Sequence, residues 1–203
     1  MALVKPRKPA EPIPAEDGGD PRPRLEDADP ARRRAAAHAL GGRADAVDAL
    51  AGRLPREEDA SVREALLTTL VLTGTGEAAR AVLPLLASED VGLRNGVIES
   101  LQQMPAAVVM PEAAPLLRSD DPDLRIFAAQ LIGRLAHPDR LPLLVGVLER
   151  DPEVNVCLAA VEALMESGRP DALPALERLA LRFPDDPFVA FSVDAARRLF
   201  SGS

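Results

Sequence analysis

The amino-acid sequence predicts an all-α fold, a row of about five to six helical hairpins stacked into an α-α superhelix. Three observations carry that prediction. Helix-start signals recur at a nearly constant interval, the apolar residues between them follow helical spacing, and the composition is rich in Ala and Leu but nearly free of aromatics.

The interval is visible when Arg33, Arg63, Arg94 and Arg125 are aligned, since they stand 30, 31 and 31 residues apart. Around them the sequence reads Asp-Pro-Ala-Arg-Arg (29–33), Asp-Ala-Ser-Val-Arg (59–63), Asp-Val-Gly-Leu-Arg (90–94) and Asp-Pro-Asp-Leu-Arg (121–125). A fifth copy, Asp151-Pro152-Glu153-Val154-Asn155, puts Asn where the others have Arg, and a sixth begins at Asp186-Pro187. Asp followed by Pro is the pair expected when Asp caps a helix N-terminus and Pro fills its first position. A first helix is therefore predicted from each Asp.

Its apolar residues recur at helical spacing, as in Leu124, Phe127, Ala128, Leu131, Ile132 and Leu135. Turn residues then interrupt every unit: Gly41-Gly42, Gly74-Thr75-Gly76, Met104-Pro105, His137-Pro138 and Gly168-Arg169-Pro170. A second helix follows, marked by Pro84-Leu85-Leu86 and Pro115-Leu116-Leu117, with Leu148 in step. Neither helix can bury its apolar stripe alone, so stacked neighbours must cover it. With five Phe and no Trp or Tyr, the core must consist of small and aliphatic side chains between closely packed helices.

The Asp-Pro-x-Val/Leu-Arg opening before an Ala-rich helix resembles the HEAT-repeat superfamily, above all its short bacterial type named after phycobilisome lyases, over about residues 27–200. The ankyrin Thr-Pro-Leu-His turn and the tetratricopeptide pattern are absent from the sequence. The resemblance implies a right-handed superhelix. It also implies that the recurrent Asp and Arg form a structural ladder between repeats, here Asp29, Asp59, Asp90, Asp121 and Asp151 with Arg33, Arg63, Arg94 and Arg125. Because Asn155 departs from this pattern, a looser joint is expected between the fourth and fifth units.

The array is expected to occupy residues 25–203, preceded by a flexible tail over 1–24 in which Pro6, Pro9, Pro12, Pro14, Pro21 and Pro23 alternate with charges. The tail carries five cations and four acids, so of the net charge of −8 the array holds −9. An acidic array without stacking aromatics argues against nucleic acid as a partner. The strongest apolar run, near Leu141 to Leu148, is far shorter than the roughly 20 residues of a membrane span, so no membrane insertion is expected. A single Cys and a start without a signal-type apolar segment point to the cytoplasm.

Chemistry-bearing residues are few. His38 reads as a polar-face residue of the first helix, His137 as a turn residue, and Cys157 as a small buried residue of the fifth unit. The pairs Asp120-Asp121 and Asp185-Asp186 coincide with helix starts, where capping accounts for one Asp of each. No phosphate-binding glycine loop, CxxC pair or nucleophile elbow is present. No catalytic residue, metal site or cofactor is therefore expected.

In solenoids of this type the second helices line the concave recognition side. Glu77, Arg80, Glu112, Arg140, Glu177 and Arg178 are the charged residues expected on that face. Their mixed signs favour a protein partner read by shape and a few charge pairs. The sequence thus predicts a non-catalytic scaffold or adaptor, within a bacterial signalling or assembly complex by the habit of the family. The resemblance also implies an alternative, a phycobilin-lyase-like or other enzyme accessory subunit, against which stands the lack of Tyr and Trp to stack on a pigment.

Overall fold

The computed structural model describes residues 19–168 and 170–201. Among these there is no strand. The helices are α1 (Pro30–Ala39), α2 (Val47–Arg53), α3 (Ala60–Thr73), α4 (Gly76–Val82), α5 (Val91–Gln103), α6 (Ala106–Ala113), α7 (Pro122–Arg134), α8 (Arg140–Arg150), α9 (Val154–Glu166), α10 (Leu173–Arg182) and α11 (Pro187–Ser201). Each odd-numbered helix from α1 to α9 opens a unit, the even-numbered helix after it completes the hairpin, and α11 opens a sixth.

The units march in one direction. First helices pack in succession, α1 on α3, α3 on α5, α5 on α7, α7 on α9 and α9 on α11, while second helices pack α2 on α4, α4 on α6 and α8 on α10. Leu66, Leu101, Leu131 and Leu164 of the first helices meet Leu50, Leu86, Leu148 and Leu176 of the second-helix layer in one continuous core, all fully buried. Each such Leu contributes roughly 1.5–3 kcal/mol by leaving water. Small residues set the spacing: Gly133 of α7 faces Ala163 of α9 so closely that a Cβ at Gly133 would collide with the Ala163 side chain.

Of the expected tail, residues 1–18 lie outside the described residues. From Arg22 onward the chain forms a 3-10 helix, Arg22–Glu26, that lies against α1 and buries Leu25.

The second helices differ from expectation in their form. Pro84 and Pro115 stand not in α-helix but in 3-10 segments, Leu83–Ala87 and Ala114–Arg118, that continue α4 and α6. Proline carries no N–H for an i to i−4 bond and its ring crowds the preceding turn, so the helix tightens there. Pro142 and Pro174 fall instead in the first turns of α8 and α10, where no such bond is needed. Those two helices run unbroken for 11 and 10 residues. The turn after α3 closes on Gly74 with φ 63°, a left-handed conformation that glycine adopts without a Cβ clash.

Candidate protein-binding surface

The recurrent Asp residues cap helices. Asp29 accepts the Ala31 N–H at 2.9 Å, Asp59 the Ser61 N–H at 2.9 Å, Asp90 the Leu93 N–H at 3.0 Å and Asp121 the Asp123 N–H at 2.9 Å. Each Arg four residues later donates to the carbonyl six residues behind it: Arg33 to Asp27, Arg63 to Glu57, Arg94 to Ser88 and Arg125 to Ser119. The Arg positions thus pin the loop before their own helix.

What the guanidinium does beyond that depends on the residue two places before the next cap. In the first joint that residue is Glu57, whose buried carboxylate accepts from Arg33 Nε at 2.8 Å and Nη2 at 2.7 Å. In the fourth it is Asp151, which accepts from Arg125 Nε at 2.7 Å and Nη2 at 3.0 Å. At the second and third joints the place belongs to Ser88 and Ser119, whose hydroxyls only accept from the Asp90 and Asp121 N–H groups. Arg63 then turns to the exposed cap Asp90 at 2.9 Å. Arg94 stacks on the Phe127 ring at 4.7 Å, and its buried Nε has no hydrogen-bond partner among the described residues.

The fifth unit corrects the register read from the sequence. There α9 begins at Val154 with Glu153 in the cap position, and Asp151 accepts the Glu153 N–H at 3.0 Å. Asp151 is therefore the counterpart of Glu57 rather than a cap. The residue in the Arg place is Cys157 rather than Asn155, since its Sγ lies 3.6 Å from the Asp151 carbonyl six residues back. Arg182 of α10 fills the space left by the short side chain, donating to the Leu148 carbonyl and, at 2.7 Å, to the Asp151 carbonyl. The joint expected to be loose thus holds a buried ion pair, and of the four joints that have an Arg the one without a carboxylate rung lies one unit earlier, at Arg94.

The six charged residues named on the second helices stand there and mostly pair with their neighbours. Arg80 of α4 meets Glu112 of α6 at 2.8 and 2.6 Å, and Arg178 of α10 meets Glu149 of α8 at 2.6 Å. Glu177 lies 3.4 Å from Arg197 of α11. Arg140 is half-buried and donates to the Gly133 carbonyl at 3.2 Å, while Glu77 is exposed beside Arg80. The Arg80 guanidinium holds the Glu112 carboxyl below its ordinary value.

The opposite face carries a feature that the sequence reading missed. First helices α7, α9 and α11 enclose a groove of about 610 Å³. Leu158 and Met165 of α9 form its floor, Ile126 and Gln130 of α7 one wall, and Phe188, Phe191 and Ala195 of α11 the other. Phe188 and Phe191 are 71% and 69% exposed. Helix α11 therefore bears two apolar stripes, Val189, Val193 and Ala196 buried against the array and Phe188, Phe191 and Ala195 turned to the groove. Spacing of i, i+3 and i+7 along α11 is the signal that could have revealed the second stripe. A smaller cleft of about 360 Å³ lies between the 3-10 segment Ala114–Arg118 and α8, with the Arg125–Asp151 pair in its lining.

The other polar candidates are dispersed. His38 is exposed on α1, and His137 sits in the turn before α8, accepting the Asp139 N–H at 3.2 Å. Cys157 is buried, and burial pushes its thiol up. Among the described residues, no group of three or more His, Cys, Asp or Glu stands together as a metal ion would require, and no helix is long and apolar enough to cross a membrane.

Comparison with known proteins agrees with the fold. The chain is 30% identical over 156 residues to the bilin biosynthesis protein PecE of Mastigocladus laminosus, covering 75% of this chain and 57% of that protein. It is 31% identical over 124 residues to an uncharacterized phycocyanin operon protein Z of Pseudanabaena tenuis, covering 58% of this chain and 60% of that one. The chain thus spans less than two thirds of the length of these relatives. Among solved structures it is similar to human deoxyhypusine hydroxylase in complex with glycerol, at 18% identity, 90% and 84% coverage and TM-score 0.46. It is also similar to the complex of CpcE and CpcF of phycocyanin lyase from Nostoc sp. PCC7120, at 19% identity, 98% and 99% coverage and TM-score 0.39. The family model for HEAT repeats matches residues 22–108 and 110–194, and with most of its length inside those two spans the chain belongs to the HEAT-repeat family.

Proposed function

We propose that this chain is an accessory subunit of bilin-lyase type, whose contribution is to bind and orient a partner protein. The observation that carries the reading is the 30% identity to PecE over 156 residues, a stretch that takes in most of the array. The geometry supports a binding role. An open groove with exposed aromatic anchors suits a protein segment, since aromatic side chains in pockets dominate protein–protein affinity. The two His and the one Cys lie in three separate places, so the chemistry of such a complex rests with the partner or the pigment.

A second reading, a stand-alone adaptor that handles no pigment, is favoured by one observation: the chain has no Tyr or Trp to stack on a tetrapyrrole. Absorption spectroscopy separates the two. The full chain, alone and with the protein it retains in its native host, is titrated with a linear bilin. The accessory-subunit reading expects the visible band to shift when the complex is present. A retained partner with an unchanged band leaves the adaptor, and no retained partner together with an unchanged band defeats both.

A further inference from the structure

We infer that the groove between α7, α9 and α11 is a docking site for an amphipathic helix of a partner protein, with apolar anchors along one face and a Lys or Arg at one end. This rests on the binding role proposed above and assigns it a place. Three observations on the groove lead to it.

The first is shape. The stripe of α11 that lines the groove runs from Phe188 through Phe191 to Ala195, a length of about two helical turns. A trough of that length walled by α7 and α11 accepts a helix lying in it, read by anchors at i, i+3 or i+4, and i+7. The second is the choice of residues. The chain holds five Phe in all, and two of them stand on this wall about 70% exposed, where burial against the array would have been the ordinary outcome. Met165 on the floor adds an unbranched, adaptable side chain of the kind found where a surface must fit a varied partner.

The third is charge. The ionisable residues lining the groove are Glu162 and Glu166, both exposed on α9 toward its C-terminal end. Arg134, which lies 3.9 Å from Glu166, borders the groove beyond that point, so Glu162 is the carboxylate left for a partner. An apolar trough with the Glu162 carboxylate at its border favours a helix with a cation there, and disfavours one with an acid.

The test uses the full chain and two synthetic helical peptides of about three to four turns. Both are built from Leu and Ala on one face, one with Lys and one with Glu on the other, and binding is read by fluorescence anisotropy. The Lys peptide is expected to bind and the Glu peptide not. Phe188→Ser with Phe191→Ser should weaken the Lys peptide by about tenfold or more. Glu162→Lys with Glu166→Lys should reverse the preference between the peptides. Glu58→Lys, at an exposed acid in the loop before α3, should change little and so controls for the general attraction of an acidic protein. Because both Phe side chains are largely exposed, circular dichroism should show the double Ser variant folded.

Equal binding of the two peptides, or affinity unchanged by the Phe substitutions, overturns the inference. Its failure is separable from that of the accessory-subunit reading. A native partner retained equally by wild type and by the double Ser variant removes the groove and leaves the function, whereas groove-dependent peptide binding with no native partner and no bilin response does the reverse.

Discussion

At the residue scale, the joints between units depend on whether the position two before each helix cap is acidic. Glu57 is the clearest case. Donation from Arg33, aided by the Asp59 N–H and Arg53, lowers its carboxyl from 4.5 to about 2 in spite of the opposing effect of burial. A carboxyl depressed by folding stabilises the protein above its unfolded value and loses that contribution as pH falls through the folded one. Denaturant titrations should therefore show a loss of roughly 3 kcal/mol between about pH 5 and pH 2 from this group. Glu57→Gln should be less stable at pH 7 and flatter over that window, and equal slopes for the two proteins would refute the assignment. The same logic orders two Arg positions that look identical in the sequence. Removing Arg125 strands the buried Asp151 carboxylate and should cost about 3–5 kcal/mol. Removing Arg94, which faces a ring and has no carboxylate, should cost about 1 kcal/mol. Thermal melts of Arg125→Met and Arg94→Met check that order. The four Arg positions were legible from spacing alone. Asp151 was named for the ladder too, but as a helix start, because Asp151-Pro152 imitates one two residues too early. Glu57 was not legible, because it lies outside the Asp-x-x-x-Arg pattern.

At the element scale, the helices follow from caps and prolines, and the spacing between them from small residues. The Asp caps set the starts of α1, α3, α5 and α7 where the sequence placed them. The 3-10 endings of the second-helix layer were missed because Pro84 and Pro115 were read as part of a helical pattern, although a proline in the last turn removes the bond that would keep the segment α-helical. Gly133 carries the sharpest consequence. Its Cα region faces Ala163 backbone, with the Ala163 Cα only 3.1 Å from where a Cβ would lie, so Gly133→Ala must push α7 and α9 apart. A loss of about 1–3 kcal/mol is expected, and Ala163→Gly in the same chain should restore much of it. Gly146→Ala would meet the mobile end of Arg150 instead of backbone, and its melting temperature should change less.

At the scale of the whole molecule, the array of hairpins was legible because a repeat multiplies each weak local signal: one Asp-Pro pair says little, and six starts at a common interval require units that shelter one another from water. The groove proposed as the docking face was not legible. Charged residues at helical spacing drew attention to the second helices, yet Arg80–Glu112 and Arg178–Glu149 show those charges joining unit to unit. The apolar groove on the first-helix face depends on how α7, α9 and α11 are set side by side, which no single segment encodes, and its aromatic wall reads in sequence as ordinary core.

Hydrogen–deuterium exchange on the native complex tests that placement most directly. Added protection is expected in α9 and α11, over Val154–Glu166 and Pro187–Ser201, when the partner binds. Protection confined to α4, α6, α8 and α10 would contradict it.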